Sequence, residues 1–343
     1  MAQEIEVIVP NFKRRLSGVT ATIVRLIPFQ ARLISIVTTG PGLPSHLPHA
    51  PLWRVALLRN SRWRVFHARR NLEMLVGILL RDVLLRKLRL VYTSAEQREH
   101  GALTHALVAR MDAVVATTPK IAPFVRSAVQ VIPHGVDVET FHPGDRAAAR
   151  RRFDLPQDAI IMGCFGRIRA EKGVDLAVEA ALELMPSRPN LHLIFAGKVT
   201  NKERAFFTHQ QIKIARAGLT DRIQFLGEKN WTDIVPLYQS LDLFLAPGRR
   251  EGFGLTPLEA MSCNIPCVAA DVGAYDTMIS ETNGSLVPPG DSTALCNAIA
   301  GWIDNPVRLA AATPRTQVLC HHSLQLEAEA LVALYRRLIA IGA

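Results

Sequence analysis

Two α/β domains, each a doubly wound parallel sheet and the pair facing each other across a cleft, are the fold class this sequence predicts. Three observations carry that expectation. The chain has 343 residues, too many for one comfortable core and about right for two domains. Short apolar, β-branched runs alternate with longer helical patterns in two successive series, the signature of βαβ units. A Pro- and Gly-rich stretch separates the series.

The first series reads as strands at Glu6–Pro10, Leu33–Thr38, Trp63–Phe66, Leu88–Tyr92, Ala113–Ala116 and Gln130–Ile132, with helices beginning at Val19, Leu72 and Leu103. The separating stretch is Ile132-Pro-His-Gly-Val-Asp137 and the residues to Gly144, where His134 and Asp137 are expected as hinge residues. The second series has strands at Ile160–Phe165, Leu191–Ala196, Ile223–Leu226, Leu243–Leu245, Pro266–Ala269 and Ser285–Val287. The expected domains are therefore 1–138 and 139–322. A final amphipathic stretch, about 323–343, carries Leu324, Leu331, Leu334 and Leu338 at helical spacing and could pack back on the first domain.

Composition narrows the function classes. Five cysteines without a CxxC pair argue against a disulfide frame or a structural zinc and suggest buried free thiols. The opening Met1-Ala-Gln-Glu-Ile-Glu6 lacks a basic segment followed by an apolar stretch, so a cytoplasmic protein is expected. The best apolar run, Leu72 to Leu80, is cut by Arg81 and Asp82, short of the roughly 18 residues a membrane span needs. Leu72 to Leu90 reads either as an amphipathic helix lying on a bilayer or as a core helix with solvated arginines. The net charge of +10 lies wholly in residues 1–140, which hold 19 Lys and Arg against 9 Asp and Glu. Such a lobe suits anionic partners.

The chemistry-bearing motifs sit at strand ends. Gly166-Arg-Ile-Arg-Ala-Glu-Lys-Gly173 follows a strand and precedes a helix, where Gly166 lets the backbone approach a pyrophosphate while Arg167 and Lys172 supply cations. Taken alone it could equally be a solvated basic loop. In Glu251-Gly-Phe-Gly-Leu-Thr-Pro-Leu-Glu259, Thr256, Pro257 and Glu259 fit a helix capping box, which leaves Glu251, Gly252 and Gly254 unexplained. A carboxylate beside an anion-binding loop suits a ligand rich in hydroxyls. Near the N-terminus, Lys13, Arg14 and Arg15 lie between the first strand and first helix, with Ser17 placed to cap and Gly18 to admit a phosphate.

The two motifs together, with Ile132-Pro-His-Gly-Val-Asp137, Phe195-Ala-Gly197, Ile223-Gln-Phe-Leu-Gly227 and Gly284-Ser-Leu-Val-Pro-Pro-Gly-Asp291, resemble the GT-B glycosyltransferase family 4. Val7 to Leu26 and His67-Ala-Arg-Arg-Asn71 are similar to the bacterial lipopolysaccharide core mannosyltransferases of that family. The resemblance implies a retaining transferase that needs no metal and no cofactor beyond its nucleotide-sugar donor. Arg167 and Lys172 match the diphosphate-binding cations, Glu251 the carboxylate facing the donor sugar, and Glu259 the one on the ribose. Amides of Phe253, Gly254 and Leu255 would contact sugar or phosphate, and Glu228 and Lys229 the edge of the base. His67 is the candidate for a histidine near the reacting sugar.

For partners, the resemblance implies GDP-mannose as donor and an inner-core Kdo residue of a lipid A precursor as acceptor, at the inner face of the cytoplasmic membrane. Lys13, Arg14, Arg15, Arg69 and Arg70 could hold the acceptor's carboxylates and phosphates. Two rival classes remain. An epimerase or phosphorylase of the same fold would differ in product. A basic nucleic-acid-binding module would need an aromatic platform, and only 6% of residues are aromatic.

Overall fold

The computed structural model describes residues 4–14, 18–95, 97 and 99–341. The chain divides into two units, Met1–Gly135 with Ser323–Ala343, and Val136–His322. Among the described residues each unit holds one six-stranded, wholly parallel sheet.

In the first unit the strands are β1 (Val7–Pro10), β2 (Ile36–Thr39), β3 (Arg64–Ala68), β4 (Leu88–Ser94), β5 (Ala113–Ala116) and β6 (Gln130–Val131), in the order β2-β1-β3-β4-β5-β6. The second unit contains β7 (Ile160–Phe165), β8 (Leu191–Ala196), β9 (Ile223–Phe225), β10 (Leu243–Ala246), β11 (Cys267–Ala270) and β12 (Gly284–Val287), in the order β12-β11-β10-β7-β8-β9. Strands covered by helices on both faces are apolar throughout rather than alternating. In β7, for example, the residues from Ile161 to Phe165 are all buried. The direction of winding reverses between β1 and β3 in one sheet and between β7 and β10 in the other, and such switch points open a crevice at the C-terminal strand ends.

Each expected strand overlaps an observed one, with two informative shifts. β2 starts at Ile36 rather than Leu33, because the preceding helix closes with Leu33 and Ile34 both donating to the Gln30 carbonyl. β3 runs to Ala68, so His67 lies within the strand, paired with Val91, and not beyond its end.

The C-terminal helix Leu324–Ala340 belongs to the first unit. Leu324, Leu331, Leu334, Tyr335 and Leu338 pack in one core with Ile23, Leu26 and Ile27 of the helix Gly18–Ala31. Ser323 caps it, its Oγ accepting from the Leu326 amide at 3.2 Å. The buried Glu327 carboxylate accepts from the Gly135 amide and pairs with His134 Nδ1, each at 2.8 Å. One residue on, the Val136 amide donates to the His322 carbonyl at 2.8 Å, and Asp137 accepts from Glu139 and Thr140 to form a turn. His134 and Asp137 thus end in different units, and the division falls three residues before the expected boundary at 138.

At the N-terminal edge of the second sheet lies a buried ionic knot. Arg150, on the helix Arg146–Arg152, donates Nη2 to Asp242 at 2.6 Å and Nε to the Ser240 carbonyl at 3.1 Å. Asp242 also accepts from the Ile161 amide at 2.7 Å and from Arg146 at 2.8 Å.

Leu85 is 73% exposed and has φ +52°, a left-handed conformation that crowds any branched side chain. Leu85→Gly removes that crowding and little packing. Denaturant unfolding should show up to about 1 kcal/mol of added stability, and a loss instead would mean that this leucine holds its turn in place.

Candidate functional site

The second unit brings its two motifs together at its switch point. Gly166 follows β7, and its amide donates to the Ala196 carbonyl at 2.8 Å. Gly197, at the end of β8, has φ +152°, and a Cβ there would lie 1.7 Å from the Gly166 oxygen, so only glycine lets these loops pass. A tight turn, Ala170–Lys172, leads to Gly173 (φ +70°), where a Cβ would meet the Pro247 oxygen at 2.1 Å. The loops after β7 and β10 are therefore in direct backbone contact.

Lys172 Nζ forms an ion pair with Glu251 Oε2, joining residues 79 apart in sequence. Glu251 Oε1 accepts from the Gly252 amide at 3.2 Å. Both side chains are partly exposed, so a ligand can reach them. Arg249, which motif reasoning missed, fastens the loops. Its guanidinium donates two bonds to Asp175, each 2.8 Å, and one to the Ala170 carbonyl at 2.6 Å, and its amide reaches the Glu171 carbonyl at 2.9 Å. Bonding to Asp175 holds its pKa above the ordinary arginine value. Nothing in the spacing of Pro247-Gly-Arg-Arg250 separates Arg249 from the exposed Arg250. Arg167, in the same loop as Lys172, is exposed and makes no ion pair among the described residues.

The capping-box reading of Thr256, Pro257 and Glu259 is corrected. The helix Leu255–Ser262 is capped by Gly254, without a side-chain bond. Gly254 has φ +94°, and a Cβ there would sit 2.1 Å from Tyr275 Cε1. Thr256 bonds Tyr275, whose phenol burial pushes well above its ordinary range. Glu259 is buried and accepts from the Tyr238 hydroxyl at 2.8 Å. Phe253 is buried too, its ring edge-on to His322, so it can offer a ligand only backbone. Amides in the first turn of a helix lack intrahelical partners, and this helix begins at Leu255, in the same loop-to-helix segment as Glu251. After β9, Glu228 is exposed and pairs with Lys198 at 3.1 Å, whereas Lys229 is turned over the Phe153 ring at 5.6 Å.

In the first unit the expected residues separate into different surroundings. Lys13 and Arg14 are exposed. Arg15 and Ser17 lie outside the described residues. Gly18 opens its helix with nothing within 4 Å of a built Cβ. Arg70 turns inward: Nη1 donates to Glu73 at 2.7 Å and to Asn11 at 2.9 Å, and Nη2 to Thr20 at 3.1 Å. Glu73 and Asn11 are buried, so Arg70 is a brace across the switch point rather than a free cation. Arg69 differs, since its Nη1 is buried without a hydrogen-bond partner and its guanidinium lines a small cavity with Thr117, His134 and Glu327.

His67 requires a correction. It is fully buried, with Nδ1 2.6 Å from the Tyr335 hydroxyl and Nε2 2.6 Å from Thr93 Oγ1. Burial, with the Arg69 charge nearby, lowers its pKa well below the ordinary histidine value. A neutral ring with both nitrogens occupied joins β3 to β4 and to the C-terminal helix and has no atom left for a sugar.

Comparison with known proteins agrees with this organisation. The model of the family described as glycosyl transferases group 1 matches residues 145–317. The lipopolysaccharide core biosynthesis mannosyltransferase LpsB of Rhizobium meliloti (strain 1021) is 44% identical over 350 residues, covering 98% of this chain and 99% of that protein. LpcC of Rhizobium leguminosarum bv. viciae, of the same description, is 45% identical over 347 residues, covering 98% and 97%. The crystal structure of Anabaena Alr3699/HepE in complex with UDP superposes with a TM-score of 0.84 at 19% identity, over 97% of this chain and 100% of that one. With the fold, the family model and two relatives of matching length in accord, the chain belongs to the group 1 glycosyl transferases and is a glycosyltransferase of GT-B fold.

Proposed function

We propose that this glycosyltransferase moves mannose from GDP-mannose to an inner-core Kdo residue of a lipopolysaccharide precursor, with retention at the anomeric carbon and without a metal ion. The observation that carries the reading is the Lys172–Glu251 pair, presented by two loops fastened through Arg249 at a switch point. Likeness along the full length to two lipopolysaccharide core mannosyltransferases supports the sugar and the pathway step.

The anomeric C–O bond to the β-phosphate breaks, a bond to the acceptor oxygen forms, and the acceptor's proton passes to the departing phosphate. Arg167 and Lys172 stabilise the charge that grows on that phosphate, the task a divalent ion performs in other transferases. A partly exposed ion pair contributes only about 0–1 kcal/mol, so a diphosphate readily takes Lys172 from Glu251. The released carboxylate then faces the sugar hydroxyls, and Glu259 faces the ribose. Amides of Gly252, Phe253, Gly254 and Leu255 complete the cradle, with Gly166 giving the pyrophosphate backbone access and Glu228 the base edge.

On the acceptor side, Lys13 and Arg14 are exposed cations that an anionic glycolipid can reach, whereas Arg69 faces a small cavity. The enzyme works at the inner face of the cytoplasmic membrane and does not take nucleic acid as a partner. Among the described residues no helix is long and apolar enough to cross a membrane.

Calorimetry with GDP, UDP and ADP and their sugars should show GDP-mannose bound most tightly, and preference for UDP would overturn the mannosyl assignment. Transfer should persist in EDTA. Complete loss that Mn or Mg restores would refute the metal-independent mechanism. The product should keep the donor's anomeric configuration by NMR.

A further inference from the structure

The segment from Asn71 to Lys87 buries Met74 and Leu80 in the core yet turns six other apolar side chains outward. In the helix Asn71–Ile78, Glu73, Met74 and Gly77 face the core, while Leu72 and Leu75 face solvent. The following turn, Leu79–Val83, is of the wide π type, with the Leu84 amide donating to the Leu79 carbonyl at 3.1 Å. Leu79, Val83, Leu84 and Leu85 are exposed as well, and the six apolar side chains are between 44 and 73% exposed. Glu73 is drawn inward by Arg70, and Gly77 lets the helix sit on Phe66, whose ring would lie 2.9 Å from a Cβ there. The outward leucines are therefore a consequence of specific inward contacts. π turns and left-handed bulky residues both occur preferentially at functional places.

The charges beside this face have one sign in excess. Arg81, Arg86, Lys87, Arg89 and Arg110 stand against Asp82 and Asp112, which are held by Arg81, Arg89 and Arg110. Lys87 is exposed and makes no ion pair among the described residues. A leucine face bordered by surplus cations is complementary to a surface that offers hydrocarbon behind negative headgroups.

We propose that the face formed by Leu72, Leu75, Leu79, Val83, Leu84 and Leu85 docks the first unit on an anionic lipid bilayer. The leucines enter the acyl boundary, and the exposed Lys87 and Arg110 meet the headgroups. This rests on the reading of the acceptor as a membrane-held glycolipid, and it adds where the enzyme touches that membrane.

The test uses vesicles without acceptor, so its outcome is independent of the sugar and donor assignments. The full chain is floated with vesicles of phosphatidylcholine alone or mixed with phosphatidylglycerol, and each sample is also run in analytical ultracentrifugation. Wild type should bind the mixed vesicles, weakly at high salt, and the neutral vesicles far less. Each inserted leucine is worth on the order of tenfold in partitioning. Leu75→Ser/Leu79→Ser should thus reduce binding at least tenfold while nucleotide binding and melting temperature stay unchanged, and Lys87→Glu should lower it specifically on anionic vesicles. Equal binding by wild type and the double variant would overturn the proposal, as would no binding by wild type. A wild-type dimer that the double variant makes monomeric would assign the face to a second copy of the chain and overturn it likewise.

Discussion

Lys172→Ala is expected to lower kcat/KM for the nucleotide sugar by roughly 10²–10³-fold, the usual effect of removing one group that stabilises charge developing in a transition state. Most of the loss should appear in kcat, because Lys172 is engaged with Glu251 in the free enzyme and gains most from the phosphate as the glycosidic bond breaks. Glu251→Ala should cause a loss of similar size, expressed in the affinity for the intact sugar nucleotide as well as in turnover. The two side chains are in direct contact, so the double variant should fall well short of the product of the single effects. Neither change should unfold the protein, since the pair is partly exposed. Turnover near wild type in either variant would place the donor phosphates elsewhere.

Asp242→Ala should be the most damaging change to stability, costing about 3–5 kcal/mol. The substitution strands the Arg150 guanidinium in a buried site and frees the Ile161 amide at the start of β7. Because this knot lies at the N-terminal strand ends, away from the loops that follow β7 and β10, molecules that remain folded should keep their kcat. Urea titration and active-site-normalised turnover measure the two quantities separately. A loss below about 1 kcal/mol would fit an exposed ion pair instead of a buried one.

The fold was legible because its signals are local. Each strand is a short apolar run, each crossover a helical period, and the expected runs overlap the observed strands throughout both units. At β3 the apolar run predicts an end at Phe66, two residues short of Ala68, which sets His67 just past the strand as a group near the reacting sugar, whereas its ring fills both its bonds inside the protein. The capping box failed for a similar reason. Thr256 and Glu259 have the right spacing, but Tyr275 and Tyr238 claim their side chains. Arg69 and Arg70 are adjacent, yet Glu73 turns one into a brace while the other is left facing a cavity.

Alternation of apolar runs, glycines at strand ends and the placement of cations after β7 are written along the chain, so residue order alone determined two parallel sheets and which loop carries the cations. Tertiary structure decided which side chains meet and which way they face: Lys172 against Glu251, Arg249 on Asp175, a histidine shut inside and a row of leucines turned out. The physical reason is that hydrogen bonding and burial depend on what packs against a residue, and those neighbours come from strands and helices far away in sequence.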